Sequence, residues 1–260
     1  MTKLLLILMV VVWSGCGGDS PTGDNENANQ DGLCVENCEW VKLISDLVGF
    51  DLEETVDGGF IVSGFNTSGN VLLIKTDSQG NEQWRKAYAE GWGRSGQETV
   101  DGGFILTGDS NGEVFLLKTD SQGNEEWTKF FGKGYGNSVQ QSADGELTVT
   151  GSLQISDEEW VVFLLKTDSE GNRLWMMNLR RGHGVEVRHT IDGGFILTGY
   201  DDDPNDVLLL KADSQGAEEW RKTLGGWSGE SVQQTSDGGF IVAGGDSRAG
   251  HFLFRADSQG

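Results

Sequence analysis

Cations are scarce in this chain, with 19 lysines and arginines against 41 aspartates and glutamates. A group made of Arg180, Arg181, His183, Arg188 and His189 therefore stands out. Two of its members, Arg188 and His189, fall where other parts of the chain place Glu53, Glu54, Gln97, Glu98, Gln140, Gln141, Gln233 and Gln234. Such a pair can form an anion subsite, for a uronate as an example. The plainer alternative is that the two pair with Glu54 and Glu98, since ion pairs between exposed charges are abundant and mostly inconsequential. A second set of residues is aromatic. Trp92, Tyr135, His183 and Trp227 lie at or one place from the residue before a glycine that recurs at constant spacing, as Gly49, Gly93, Gly136, Gly184 and Gly229. Rings gathered at one rim can stack on sugars or on a peptide; the competing reading is that they are partly buried loop residues covering a core. Asp51, Glu54 and Glu98 are carboxylates of the kind a glycoside hydrolase needs in pairs at a set separation. Their near-uniform Gln/Glu columns read as structure rather than as catalysis. Residues 200–206 carry oxygen donors enough for calcium but lack the spacing and glycine of an EF-hand loop, so they read as a solvated acidic loop. The chain has no nucleophile elbow, phosphate loop or zinc cluster, and no cofactor or metal is expected.

The elements that position these residues are repeats. The signature DGGF starts at Asp57, Asp101, Asp192 and Asp237, with a degenerate DGEL copy at Asp144. From Trp40, Trp84, Trp127, Trp175 and Trp220 to these aspartates the interval is 17 residues each time. From Asp77, Asp120, Asp168 and Asp213 to the following tryptophan it is 7. The interval between the two kinds of aspartate takes the values 20, 19, 24, 21 and 20, so length change is confined to one connection per repeat. A fixed period of this size marks a solenoid or a propeller. Each unit reads as strand after strand. A short extended segment meets an Asp-Gly hairpin turn, in which glycine supplies positive φ, and a returning strand follows. Since the DGEL copy keeps only the first glycine, that one is the likelier geometric requirement. Next comes an unbroken apolar run such as residues 114–117, which suits a strand covered on both faces. The last strand bears the tryptophan.

No unit of four strands can hide both of its faces, so units must stack on one another, and a ring does so without long exposed edges. The last copy stops at Gly260, before the point where other copies continue to their tryptophan, while the folded part begins with Asn37-Cys38-Glu39-Trp40. The expected fold is therefore all-β: a five-bladed β-propeller with four antiparallel strands per blade, closed by the N-terminal strand joining the last blade. The constant glycine connection and the variable loops at 65–70, 109–113, 152–160, 200–206 and 244–250 are expected on one face, and the tight turns on the other.

Ahead of the repeats, Lys3, the apolar residues 4–12 and a small-residue stretch form an export signal too short to span a bilayer. Ser14-Gly15 directly before Cys16 resembles the lipobox of bacterial lipoproteins, which implies lipidation of Cys16, with Trp13 departing from the usual leucine. Cys34 and Cys38 then remain as a pair able to close a small disulfide. The sequence thus divides into a signal peptide at 1–15, a flexible tether at 16–36 and the propeller at 37–260.

The repeats ESVQQTSDGGFIVAG and LLKTDSQGNEEW resemble those of secreted bacterial and archaeal repeat proteins, which implies a β-propeller. The D-x-x-G-x-x-x-W core, as in Asp120, Gly123 and Trp127, is also similar to the tryptophan-docking motif of quinoprotein-type propellers. Neither resemblance fixes an activity. A net charge of −22 argues against nucleic acid or an anionic membrane face as partner. The expectation is an exported, monomeric propeller, tethered at the outer membrane or cell surface by its lipid alone, that binds a glycan or a protein through Trp92, Tyr135, His183, Trp227, Arg188 and His189 without catalysis. The alternatives are a glycoside hydrolase of endoglucanase or arabinanase type using channel carboxylates, or a truncated segment of a longer array.

Overall fold

The computed structural model describes residues 40, 42–202, 206–225, 228–246 and 250–260. Cys16, Cys34 and Cys38, and with them the signal, the tether and the disulfide, lie outside the described residues, as does Trp227. Every described element is a strand, and every pairing is antiparallel between neighbours in sequence. The first sheet is the meander β1 (Val48–Glu54), β2 (Phe60–Phe65), β3 (Asn70–Thr76) and β4 (Glu82–Glu90). The second has seven strands: β5 (Trp92–Glu98), β6 (Phe104–Ser110), β7 (Glu113–Thr119), β8 (Glu125–Gln141), β9 (Leu147–Ser156), β10 (Glu159–Thr167) and β11 (Arg173–Arg181). A third holds β12 (His183–His189), β13 (Phe195–Tyr200), β14 (Val207–Ala212) and β15 (Glu218–Leu224), and a fourth holds β16 (Ser228–Gln234), β17 (Phe240–Asp246) and β18 (Gly250–Ala256).

The repeats are thus present, but not as five separate sheets of four. β8 runs for 17 residues. Its first half pairs with β7, from Thr119↔Glu125 to Glu113↔Lys133, and its second half pairs with β9, from Gly134↔Leu153 to Gln141↔Leu147. Gly132 and Gly134, at φ 101° and 145°, let one strand leave the second repeat and enter the third without a break. In the last sheet three strands are formed among the described residues.

The apolar runs behave as a two-sided pattern requires. Neighbouring residues of one strand enter different cores: Leu106 and Leu117 pack with Ile61 and Leu73 of the preceding repeat, while Ile105 and Leu116 pack with Val139 and Val149 of the following one. Leu197 and Ile196 divide in the same way between the third repeat and the fifth. Four such cores join the five repeats in series. The outer face of the first repeat, with Val62, Leu72 and Ile74, is covered by Ile44, Leu47 and Leu52.

A second contact repeats at the rim. Trp84, Trp127, Trp175 and Trp220 each lie flat on the glycine of the next repeat's TDSQG-type turn. A Cβ built on Gly123, Gly171, Gly216 or Gly260 would stand 2.6–2.7 Å from the ring, and each of these glycines has positive φ. Trp40 sits on Gly80 of the first repeat in the same manner, with a closest approach of 2.5 Å.

Candidate functional site

Strands β1, β5, the second half of β8, β12 and β16 pack against one another in that serial order, so the first strands of successive repeats converge along one edge. Each carries the same β-bulge directly after its constant glycine. The extra residue is Phe50, Arg94, Asn137, Val185 or Glu230. A bulge re-aims a side chain that regular pleating would bury. The residue before the glycine pairs with the first residue of the variable loop, as in Val48↔Phe65, Trp92↔Asp109, Tyr135↔Ser152 and His183↔Tyr200. Both therefore lie at one end of the strands, as their spacing implied.

At that end rings from four repeats form two runs that make up one stack through a guanidinium. Phe65 stacks on Trp92 with centroids 5.5 Å apart, Tyr135 lies parallel to Trp160 at 5.1 Å, Trp160 leans on His183 at 5.7 Å, and His183 stacks on Tyr200 at 4.7 Å. Arg94 joins the two halves. Its guanidinium carbon lies 5.3 Å from the Trp92 centroid, 5.0 Å from Tyr135 and 5.6 Å from Phe50, and its Nε donates to Asp109 Oδ1 at 3.1 Å. Cation–π contact with three rings and a carboxylate on one edge hold the guanidinium plane in place. Burial pushes the Asp109 carboxyl up, and Arg94 opposes that shift. Trp92 and Phe50 keep 43% and 44% of their surface in solvent, so part of each ring remains on offer. His183 is fixed by Ser152 Oγ at 2.8 Å from Nδ1 and by Asp202 at 3.3 Å from Nε2; burial lowers its pKa and Asp202 opposes the change.

The structure brings Trp92, Tyr135 and His183 together in this stack but places Arg188 and His189 elsewhere, further along β12. Arg188 is answered by its neighbour but one, Glu186, with Nε 2.9 Å from Oε1, and not by Glu54 or Glu98. Its charge also lowers the Asp51 and Glu53 carboxyls of the first repeat, both of which burial raises more strongly. His189 meets Thr148 at 3.1 Å and leans on Phe195, and burial, helped by Lys166, holds its imidazole below the ordinary value.

The carboxylate and amide columns are occupied by backbone. Glu98 accepts from Val56 N at 2.7 Å, Gln141 from Val100 N and Gln234 from Ile191 N, each at 2.8 Å. Each ties a first strand to the hairpin turn of the preceding repeat. Asp51 accepts from Leu52 N at 2.9 Å and from Gly96 N at 3.2 Å, and Glu186 accepts from Val232 N at 2.6 Å. The acidic loop differs from expectation at its start: Asp201 is buried at 4% exposure, because Arg180 pairs with it. Among the described residues no group of three or more histidine, cysteine, aspartate or glutamate side chains is arranged to hold a metal ion.

Sequence reasoning found three members of the stack and missed Arg94, Phe50, Phe65, Trp160 and Tyr200. The available signal was the column after the constant glycine, which reads Phe50, Arg94, Asn137, Val185 and Glu230, a different residue in every repeat. It passes unnoticed unless the bulge is known.

No family model matches the chain, and no curated protein is similar to it. Solved structures do resemble it. The Dos1 propeller is 14% identical, with a TM-score of 0.57 over 89% of this chain and 58% of that one. A protein of unknown function from Dyadobacter fermentans is 13% identical, with a TM-score of 0.53 over 79% and 74% of the two chains. A luciferin-regenerating enzyme is 13% identical, with a TM-score of 0.50 over 86% and 80%. At such identities the likeness concerns the fold alone, which is all-β, antiparallel and propeller-like.

Proposed function

We propose that this chain is a non-catalytic binding propeller that takes a glycan at the loop end of its converging strands. The observation that carries this reading is the ring stack from Phe65 to Tyr200, with partly exposed rings at Phe50 and Trp92 and a fixed cation at its middle. Sugar rings present C–H faces to aromatic planes and hydroxyls to nearby polar groups. A rigid platform of rings beside an arginine offers both at low ordering cost. The same surface suits a protein ligand less well, because a stack one ring wide is narrow against the area that a stable protein interface buries.

The full architecture belongs to this proposal. Five blades form a ring, closed by the N-terminal strand joining the last blade. Support comes from Trp40, which rests on Gly80 as Trp220 rests on Gly260, so it stands where the outer strand of a preceding blade belongs. Cys16 carries lipid, residues 16–36 act as the tether, and the propeller is held as a monomer at the outer membrane or cell surface. A diacylglyceryl mass on Cys16 of the mature protein is the signature that tests the anchor.

The glycan reading is tested by calorimetry against a polysaccharide panel. Trp92→Ala is expected to weaken whichever glycan binds by roughly tenfold, since a stacked ring contributes about 1 kcal/mol beyond its area. Undiminished affinity in that variant would remove the stack from the site. Sugar release from the panel, abolished by Glu54→Gln or Glu98→Gln, would make the protein a hydrolase instead.

A further inference from the structure

Resting on the glycan reading, we infer that the glycan is acidic and that Arg94 is its carboxylate-recognising residue, receiving a uronate beside the solvent-exposed parts of Trp92 and Phe50. The guanidinium is placed for this and is otherwise unspent. Its face is covered by three rings and its Nε by Asp109, and no described residue takes a hydrogen bond from Nη1 or Nη2. Arg94 retains 23% of its side-chain surface. Two parallel N–H groups on a planar, immobilised fork match the two oxygens of a carboxylate. Three of the other cations considered lie against a carboxylate of their own: Arg188 against Glu186, Arg180 against Asp201 and His183 against Asp202. Across the mouth Tyr200 lies within electrostatic reach of Arg94. Burial raises its phenol, so it stays a donor at neutral pH and can serve the same carboxylate. A planar acid group fits a layer of stacked rings better than a tetrahedral sulfate does. Because Asp109 neutralises the arginine, recognition comes from direction more than from net charge, as an acidic protein facing an acidic polymer requires.

The test uses matched pairs of tetrasaccharides, galacturonate, glucuronate and mannuronate, each against its carboxyl-reduced neutral form, titrated into the full-length protein at 0.15 M salt. For at least one pair the acidic member is expected to bind about 10- to 100-fold more tightly, the range of a charge-assisted bidentate contact. Arg94→Gln together with Asp109→Asn removes both charges, so neither is left unpaired. It should bring the ratio to about one, with any loss of shared contacts falling equally on the acidic and neutral forms. Arg94→Lys retains charge without the fork and should lose most of the preference. Trp92→Ala should weaken both members alike. A ratio that survives the double variant, neutral members that bind as tightly as acidic ones, or a preference for a sulfated analogue would each overturn the inference while leaving the glycan reading standing. Binding of neither member of any pair by the unaltered protein would overturn both.

Discussion

Alanine at Gly123 is expected to destabilise the protein by about 3–5 kcal/mol, whereas alanine at Gly102 should cost only about 1–2 kcal/mol. The two glycines share the backbone requirement, with φ of 73° and 80°, so each substitution carries the left-handed penalty of an L-residue. They differ in what a methyl would meet. At Gly102 no atom lies within 4 Å, whereas at Gly123 the methyl would stand 2.7 Å from Cζ3 of Trp84 and 2.8 Å from Lys86 Cγ. Trp84 packs over the core shared by the first two repeats and over Phe104, so it cannot retreat without opening a cavity there. Urea midpoints of the two variants measure the difference, and equal shifts would deny the tryptophan its role as the clamp between repeats. Gly80 extends the same series to the closure of the ring. If the N-terminal strand completes the last blade, Trp40 is held from both sides and Gly80→Ala costs as much as Gly123→Ala. If the ring is open, Trp40 swings away and Gly80→Ala costs no more than Gly102→Ala.

That contrast shows what the sequence makes legible. Turn geometry is local, so the first glycine of each DGG-type turn could be assigned from residue type, and Gly58, Gly102, Gly145, Gly193 and Gly238 all have positive φ. The apolar runs carried their two-sided burial openly. The second glycine was undervalued because its reason is not local. A Cβ on Gly59 would stand 2.1 Å from the Thr76 carbonyl oxygen and 2.6 Å from Lys75 Nζ, and one on Gly103 2.1 Å from the Thr119 carbonyl oxygen and 2.5 Å from Lys118 Nζ; each lysine reaches back from a later strand to its turn aspartate. In the third repeat Glu146 replaces that glycine, and Lys166 pairs with Glu146 itself. The run of β8 through Gly132 and Gly134 was hidden for a related reason, since two glycines permit either a break or a continuous bend. The site was the least legible part. Arg94 has its place because a bulge turns it among three rings from three repeats, and Asp201 is buried because Arg180, 21 residues away in sequence, accompanies it. Residue type foretold that rings would meet at one end of the strands; it did not foretell which cation they would hold.

The buried lysines give a second graded result, in which Asp57→Asn is expected to cost about 2 kcal/mol while Asp101→Asn and Asp192→Asn each cost under about 1 kcal/mol. All three aspartates accept from a threonine hydroxyl and a glycine N–H of their own turn, contacts that asparagine can keep through its carbonyl oxygen. What asparagine removes is the charge beside a lysine. Lys118 retains Glu126 at 3.1 Å and Lys211 retains Glu219 at 2.9 Å, but among the described residues the only acidic partner of Lys75 is Asp57. With that charge gone, an ammonium on a side chain of 7% exposure keeps neutral oxygens, the Thr76 carbonyl and the asparagine amide oxygen, and no countercharge. Breaking a fully buried pair costs about 3–5 kcal/mol, and solvent around the exposed aspartate brings the figure down. Acid reports the same interaction. Hydrogen bonds from Thr55, Lys75 and Gly59 hold Asp57 at about 2, against an ordinary value of 3.8. Its contribution is therefore present above about pH 4 and is lost as pH falls toward 2, because the unfolded chain takes up the proton first. Denaturant midpoints measured from pH 7 down to pH 2 should show Asp57→Asn and the unaltered protein converging at the acid end. A constant gap between them would assign the loss to turn geometry and not to the Lys75 charge, and equal costs for the three substitutions at pH 7 would remove the second carboxylates, Glu126 and Glu219, from the account.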